Sequence, residues 1–233
     1  LCLLLNALGL LYVRNYCLKN PKKMTGNPMQ GDRLTTLMER FQLSVQAAPV
    51  GGANLLALAG AGGVPSRLLF FSDGRQANTG DDQIILSARV DWAGQGNPLL
   101  AALPAVVDYD LTTSPEAQSL VRLIQGEATG GRCGAQSVIN RLGEVLMVRL
   151  IRGQIKIGTT QTGLLAGLSD PRLSRAIVAM HDHPGRVWTN GDLAQQAGLS
   201  MSRFSELFAS EVGETPMGYL RRWRLILARQ DLQ

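Results

Sequence analysis

Residues 41–47, FQLSVQA, alternate apolar and polar side chains, with Phe41, Leu43, Val45 and Ala47 on one face. A period of two predicts a half-buried strand. ANLLALAG (53–60), RLLFFSDG (67–74) and QIILSARVDW (83–92) predict three more. They are separated by GG, AGGVP and GRQANTGDD, which are turn signals. RLTTLMER (33–40) predicts a short helix ahead of them. Short strands with Gly-rich turns predict a small antiparallel sheet, a barrel or a sandwich.

The texture changes at Asn97-Pro98. LLAALPAVVDYDL predicts a short helix and then an extended piece. Ser114-Pro115-Glu116 is a helix start, with Ser as N-cap, Pro at the first position and an acid in the first turn. That helix should run to about 128, and TGGRCG should turn the chain. A second helix is predicted over 135–154. Its stripe is Val138, Leu142, Val145 and Leu146, widened by Ile139 and Leu150. Two helices joined by a short Gly turn pack antiparallel. The broad apolar surface predicts either contact with the sheet or a dimer seam. GTTQTGLLAG (158–167), rich in Gly and Thr and uncharged, reads as a linker.

From Ser169 the pattern is helical throughout. DPRLSRAIVAMHD (170–182) has Asp170 as N-cap, Pro171 behind it, and a stripe of Leu173, Ala176, Ile177 and Met180. Thr189 or Asn190 caps a short helix through Ala197, which Gly198 ends. Ser200 caps MSRFSELFASEV, which ends at Gly213. This is helix-turn-helix spacing. Leu193, Ala194 and Ala197 should face inward, Leu199 should fill the elbow, and Phe204, Leu207 and Phe208 should bury the second helix. Ser200, Met201, Ser202, Arg203, Ser205 and Glu206 are left for its outward face, the part that enters a major groove. Glu206 is either an acceptor for cytosine N4 or a solvated acid paired with Arg203. A last helix starts at Thr215-Pro216, with Tyr219, Leu220, Trp223 and Leu227 buried. Arg221, Arg222, Arg224 and Arg229 decorate it, and the first three are candidate phosphate contacts.

Charge adds less than its sum implies. The 233 residues carry a net +5 with pI near 9.4. Residues 1–28 hold Arg14, Lys19, Lys22 and Lys23 and no acid, whereas from 170 onward eight Arg face seven acids. The basic excess therefore lies away from the helix-turn-helix. With 45% apolar and 18% charged residues, a real core can form. The apolar run at the start, LCLLLNALGLLYV, is too short to span a bilayer and lacks a basic leader. Residues 1–28 are read as an atypical tail, with Met24 or Met29 as the more natural start, and no membrane partner is expected.

Cys2, Cys17 and Cys133 form no CxxC, which fits a reducing cytoplasm. The two histidines, His181 and His183, leave none for a metal site earlier in the chain. Asp81-Asp82 and Asp108/Asp110 read as turn and loop acids. No acid pair, nucleophile–base set or metal-ligand cluster stands out, so neither an enzyme nor a cofactor is expected.

The sequence GETPMGYLRRWRLILAR, preceded by a capped helix and the helix-turn-helix, resembles the AraC/XylS family of transcription regulators. Gly213, Pro216, Tyr219, Leu220, Arg224 and Ala228 match its pattern G-x-x-P-x-x-Y-L-x-x-x-R-x-x-x-A. LSDPRLSRAIVAMHDHPGRVWT, NPLLAALP (97–104) and RCGAQSVINRLGEVLMVRLIR (132–152) resemble the subgroup with a cupin-type sensor. The resemblance covers about 30–233. It implies an α+β chain: a small antiparallel cupin-like sheet, a helical hairpin, a linker, and an all-α helix-turn-helix module. The expected boundaries are 1–28 (tail), 29–112 (sensor sheet), 113–157 (hairpin, a dimerisation candidate), 158–168 (linker) and 169–233 (reading module). The implied partners are double-stranded DNA, a small-molecule effector and a second copy of the chain.

The family carries two helix-turn-helix units joined by a long helix. This chain ends at Gln233, inside or just after that helix, so one reading head is expected. That removes about half the phosphate contacts, so affinity should be weak at physiological salt. A dimer through 114–154 would recover part of it by avidity. The alternative is a truncated binding or dimerisation module with negligible DNA affinity.

Overall fold

A computed structural model describes residues 33–74, 83–92, 97–158 and 162–232. The expected tail at 1–28, the Asp81-Asp82 turn and the middle of the expected linker lie outside them. Helix α1 (Thr35–Arg40) leads into strand β1 (Leu43–Ala47). Strands β2 (Leu55–Ala59), β3 (Pro65–Phe71) and β4 (Ile84–Trp92) follow, then α2 (Pro98–Ala102) and β5 (Val106–Asp110). The extended piece after α2 is thus a fifth strand. The sheet order is β1-β4-β2-β3-β5, antiparallel at every pairing. Leu55 stands opposite both Phe70 and Ala88, so alternate residues of the central strands share a face. Leu55, Ala57, Leu68, Phe70 and Val90 join the main core, while Leu56, Leu58, Leu69 and Phe71 form a smaller cluster.

Helices α3 (Pro115–Gly130) and α4 (Ala135–Ile157) pack together, and α4 also lies against β1. Ser114 caps α3 by accepting the Ala117 N–H. The buried residues of α4 are Ile139, Gly143, Leu146, Met147, Leu150 and Ile151. The expected stripe is corrected here: Val138 and Val145 are 40% and 47% exposed, so the helix is rotated about its axis. The cause is polar. Asn140 accepts the Val45 N–H at 2.6 Å, and Gln136 donates to the Val45 carbonyl at 3.0 Å. Edge strands leave such groups unpaired, and here two side chains one helical turn apart satisfy them. A Cβ on Gly143 would fall 2.6 Å from Val45 Cβ, so only glycine lets the helix come this near.

The expected linker is also corrected. From Leu164 to Ser169 the chain is a buried helix, α5, rather than a tether. Leu164, Leu165, Ala166 and Leu168 are all in the core, because LLAGL carries enough apolar surface to be buried once helices surround it. A Cβ on Gly167 would meet Ile177 and Val212 at 2.7 Å. Helices α6 (Leu173–Asp182), α7 (Asn190–Ala197), α8 (Met201–Val212) and α9 (Pro216–Asp231) complete the chain. Residues 32–233 cluster as one unit.

Gly143→Ala should destabilise the protein by about 1–2 kcal/mol, since overpacking outweighs the gain in helix propensity. Val45→Ala in the same chain should return part of the loss. Urea unfolding of the four chains in this cycle measures the coupling, and additive effects would contradict the close contact.

Candidate nucleic-acid interface

The geometry of the helix-turn-helix follows from its caps. The Thr189 hydroxyl accepts the Asp192 N–H at 3.1 Å while the Asp192 carboxylate accepts the Thr189 N–H at 2.9 Å. This reciprocal box starts α7. The Thr189 hydrogen bonds also hold the Asp192 carboxyl below its ordinary pKa. Gly198 ends α7 at φ 68°, a left-handed conformation that favours glycine. Arg175 of α6 donates to the Ala197 carbonyl at 2.7 Å, so a neighbouring helix caps the same turn. Ser200 then caps α8 by accepting the Arg203 N–H. Helix α6 itself begins later than expected, at Leu173, with Asp170 accepting the N–H groups of Arg172 and Leu173.

The buried faces match the apolar spacing. Leu193, Ala194 and Ala197 of α7 meet Phe204, Phe208 and Val212 of α8 in one core with Leu173, Ala176, Ile177 and Met180 of α6. Leu199 and Leu207 are half-buried against it. From α9, Tyr219, Leu220, Trp223 and Leu227 close the module. Phe208 meets Tyr219 edge-on at 5.7 Å.

His181 is inside this core. Its Nε2 and the Tyr219 hydroxyl share a 2.6 Å hydrogen bond, and its ring lies 4.2 Å from that of Trp223. Burial, then the Arg222 charge, pushes the imidazole pKa down to about 3. Burial likewise pushes the Tyr219 phenol up. Both groups are therefore neutral parts of the core. No group of His, Cys, Asp and Glu placed to hold a metal occurs among the described residues.

The opposite side of α8 faces solvent. Ser200, Met201, Ser202, Arg203 and Glu206 are exposed, while Ser205 is half-buried. Arg203 and Glu206 approach to 3.6 Å, both well exposed, so the pair is weak and easily exchanged. The three candidate arginines of α9 differ. Arg221 is exposed and has no charge partner among the described residues. Arg222 pairs with Glu214. Arg224 donates to the carbonyls of Pro184 and Arg186, each at 2.7 Å, and so fastens the α6–α7 connection onto α9. Its two bonded N–H groups face protein rather than a phosphate. The structural duties of Arg175 and Arg224 were not legible in sequence, because each spans more than twenty residues to reach a backbone carbonyl.

Residues 47–156 match the cupin family. The chain is 30% identical over 163 residues to an AraC-like transcription regulator of Streptomyces lividans, covering 68% of this chain and 53% of the relative. It is 33% identical over 142 residues to the HTH-type transcriptional regulator AlkR of Acinetobacter baylyi, covering 59% and 46%. The chain belongs to the AraC-type family, with a cupin-like N-terminal domain. Another relative, the HTH-type transcriptional regulator MtrA of Neisseria gonorrhoeae, is 28% identical over 65% of this chain and 50% of its own. The chain spans about half the length of these relatives. No solved structure matches. No helix among the described residues is long and apolar enough to cross a membrane.

The burial of His181 has a pH consequence. Its folded pKa lies below the unfolded value of 6.5, so below pH 6.5 only the unfolded chain takes up the proton. Stability should be full above pH 6.5 and should fall on acidification by about 1.4 kcal/mol per unit. His181→Asn should be less stable at neutral pH but nearly flat from about pH 6.5 to 4.5. Urea unfolding at stepped pH checks this, and equal slopes in both proteins would contradict it.

Proposed function

We propose that this protein is a cytoplasmic, non-enzymatic transcription regulator that reads double-stranded DNA through α8. The observation that carries the reading is the exposed N-terminal half of α8, held by the cap at Ser200 and the turn at Gly198. Ser200 and Ser202 offer hydroxyls to phosphates or base edges, Met201 offers an apolar contact at 58% exposure, and Arg203 offers a charge. Ser205, half-buried, contacts the DNA backbone from the side. Glu206 accepts from cytosine N4 once Arg203 turns to the DNA. Arg221 and Arg222 supply phosphate contacts from α9, with Arg222 first leaving Glu214. Arg224 holds the scaffold. The relatives' names as transcription regulators support the same reading.

The cupin-like part takes the sensing and pairing roles. A second copy would dock on α3 and α4, where Leu123 is 57% exposed and Val138 and Val145 lie on one side of α4. This contact would place two reading heads on one duplex and raise the effective concentration of the second.

Fluorescence anisotropy of a labelled duplex, from about 50 to 200 mM salt, tests DNA binding. Arg203→Ala and Arg221→Ala should each weaken binding and lower the salt slope by about one. Glu206→Gln should tighten it. Arg224→Ala should instead lower the melting temperature. No salt-sensitive binding at the lowest salt would overturn the reading and favour a dimerisation module, whose mass sedimentation would report.

A further inference from the structure

A series of six aromatic rings leads from the N-terminal end of the sheet into α8. Phe41, between α1 and β1, has its ring 6.0 Å from that of Trp223 in α9. Trp223 lies 4.2 Å from His181 of α6, and His181 lies 5.8 Å from Tyr219 of α9, to which it is also hydrogen-bonded. Tyr219 lies 5.7 Å from Phe208 of α8, and Phe208 lies 5.5 Å from Phe204. Each separation falls in the range where rings attract one another beyond the area they bury. All six residues are buried.

Phe41 precedes the cupin match, which begins at residue 47. The chain around it is nonetheless tied to the C-terminal helices. Helix α1 packs against α6. Arg33 donates to the Leu168 carbonyl at 2.7 Å, the Thr36 hydroxyl donates to Asp182, and Gln230 donates to the Arg40 carbonyl at 3.3 Å. The Phe41 N–H closes α1 by donating to the Leu37 carbonyl at 2.9 Å. The backbone that carries the first ring is therefore held at α5, α6 and α9.

Trp223 depends on that ring. Its indole N–H is buried and has no hydrogen-bond partner among the described residues. No directional bond orients the side chain, so packing sets it, and Phe41 and His181 are the rings against it. A side chain held by packing responds to a cavity opened beside it. In a close-packed interior the response passes to its neighbours. Here the next neighbours are a hydrogen-bonded pair, His181 and Tyr219, and then Phe208.

We propose that Phe41 is a positioning residue for α8. It seats Trp223, Trp223 sets His181 and Tyr219, and Tyr219 sets the buried Phe208 side of the helix. The exposed stretch from Ser200 to Glu206 is carried on the same helix, so its direction follows. This deepens the DNA reading and rests on it for any effect on DNA, while the packing claim needs no DNA.

Three variants of the full chain test it, with circular dichroism and melting curves confirming that each is folded. Phe41→Ala empties the first position, Phe41→Leu keeps most of the apolar volume, and Tyr219→Phe removes the hydroxyl that bonds His181. Hydrogen exchange of α8 and α9 amides should speed about tenfold in Phe41→Ala and less in Phe41→Leu, with α3 amides unchanged. If Phe41→Ala does not fold, Phe41→Leu carries the measurement alone. Equal speeding in α3 and α8, or an unaltered α8, would overturn the proposal. Urea unfolding of Phe41→Leu, Tyr219→Phe and the double variant should give an unfolding constant for the double about fivefold away from the product of the single effects. Simple multiplication would mean that the two residues act independently and would also overturn it. In the anisotropy assay Phe41→Leu should weaken DNA binding about fivefold with an unchanged salt slope, because no phosphate contact is lost. Wild-type affinity in Phe41→Leu would overturn the positioning role. If the wild type itself binds no DNA, the DNA reading fails, and exchange and unfolding still decide the packing claim.

Discussion

The seating of α4 on Val45 governs much of the structure. One backbone N–H and one carbonyl on the outer edge of β1 are taken up by Asn140 and Gln136. Gly143, one turn on, removes the side chain that would hold the helix away. These three residues fix the rotation of α4. That rotation turns Leu146, Met147, Leu150 and Ile151 inward and leaves Val138 and Val145 outside. It also leaves Val145, Val148 and Arg152 beside α1 and the sheet edge, where a groove opens. One polar contact on an edge strand thereby sets a core, an exposed apolar strip and a cavity.

The helix-turn-helix part is organised on a different principle. Its core is aromatic, with His181 against both Tyr219 and Trp223, and Phe204, Phe208 and Phe41 around them. Polar side chains are placed at helix ends, where unsatisfied backbone groups collect. Thr189, Ser200 and Thr215 serve starts, while Arg175 and Arg224 serve carbonyls at or beyond helix ends. Several cations near the exposed face of α8 therefore have structural duties, and Arg203 and Arg221 are the freer ones.

Local signals in the sequence carried the helical half well. Ser114, Thr215 and Gly198 mark helix ends by chemistry that acts within three or four residues, and the stripe of α6 has the period of a helix buried on one face. Four strands were legible from alternation and Gly-rich turns. What was hidden depends on distant partners. The stripe of α4 was misplaced because Gln136, Asn140 and Gly143 read as surface or neutral residues until β1 is beside them. The segment from Leu164 to Ser169 read as a tether because its short apolar run has meaning only within a surrounding bundle. The groove draws on α1, β1, β4 and α4, and no linear motif joins them. Among the candidate DNA contacts, the exposed serines of α8 followed from helical phase, whereas the commitment of Arg224 to carbonyls forty residues away did not.

Gly167, wedged against Ile177 and Val212, makes α5 a splint where a swivel was expected. A helix braced in this way keeps a constant azimuth with respect to the sheet. B-DNA turns once in about 10.5 bp, so two such helices borne by a paired protein would demand recognition sequences in fixed rotational phase. Moving one sequence by half a turn would carry it to the far side of the duplex, where a tethered reader could follow and a braced one could not.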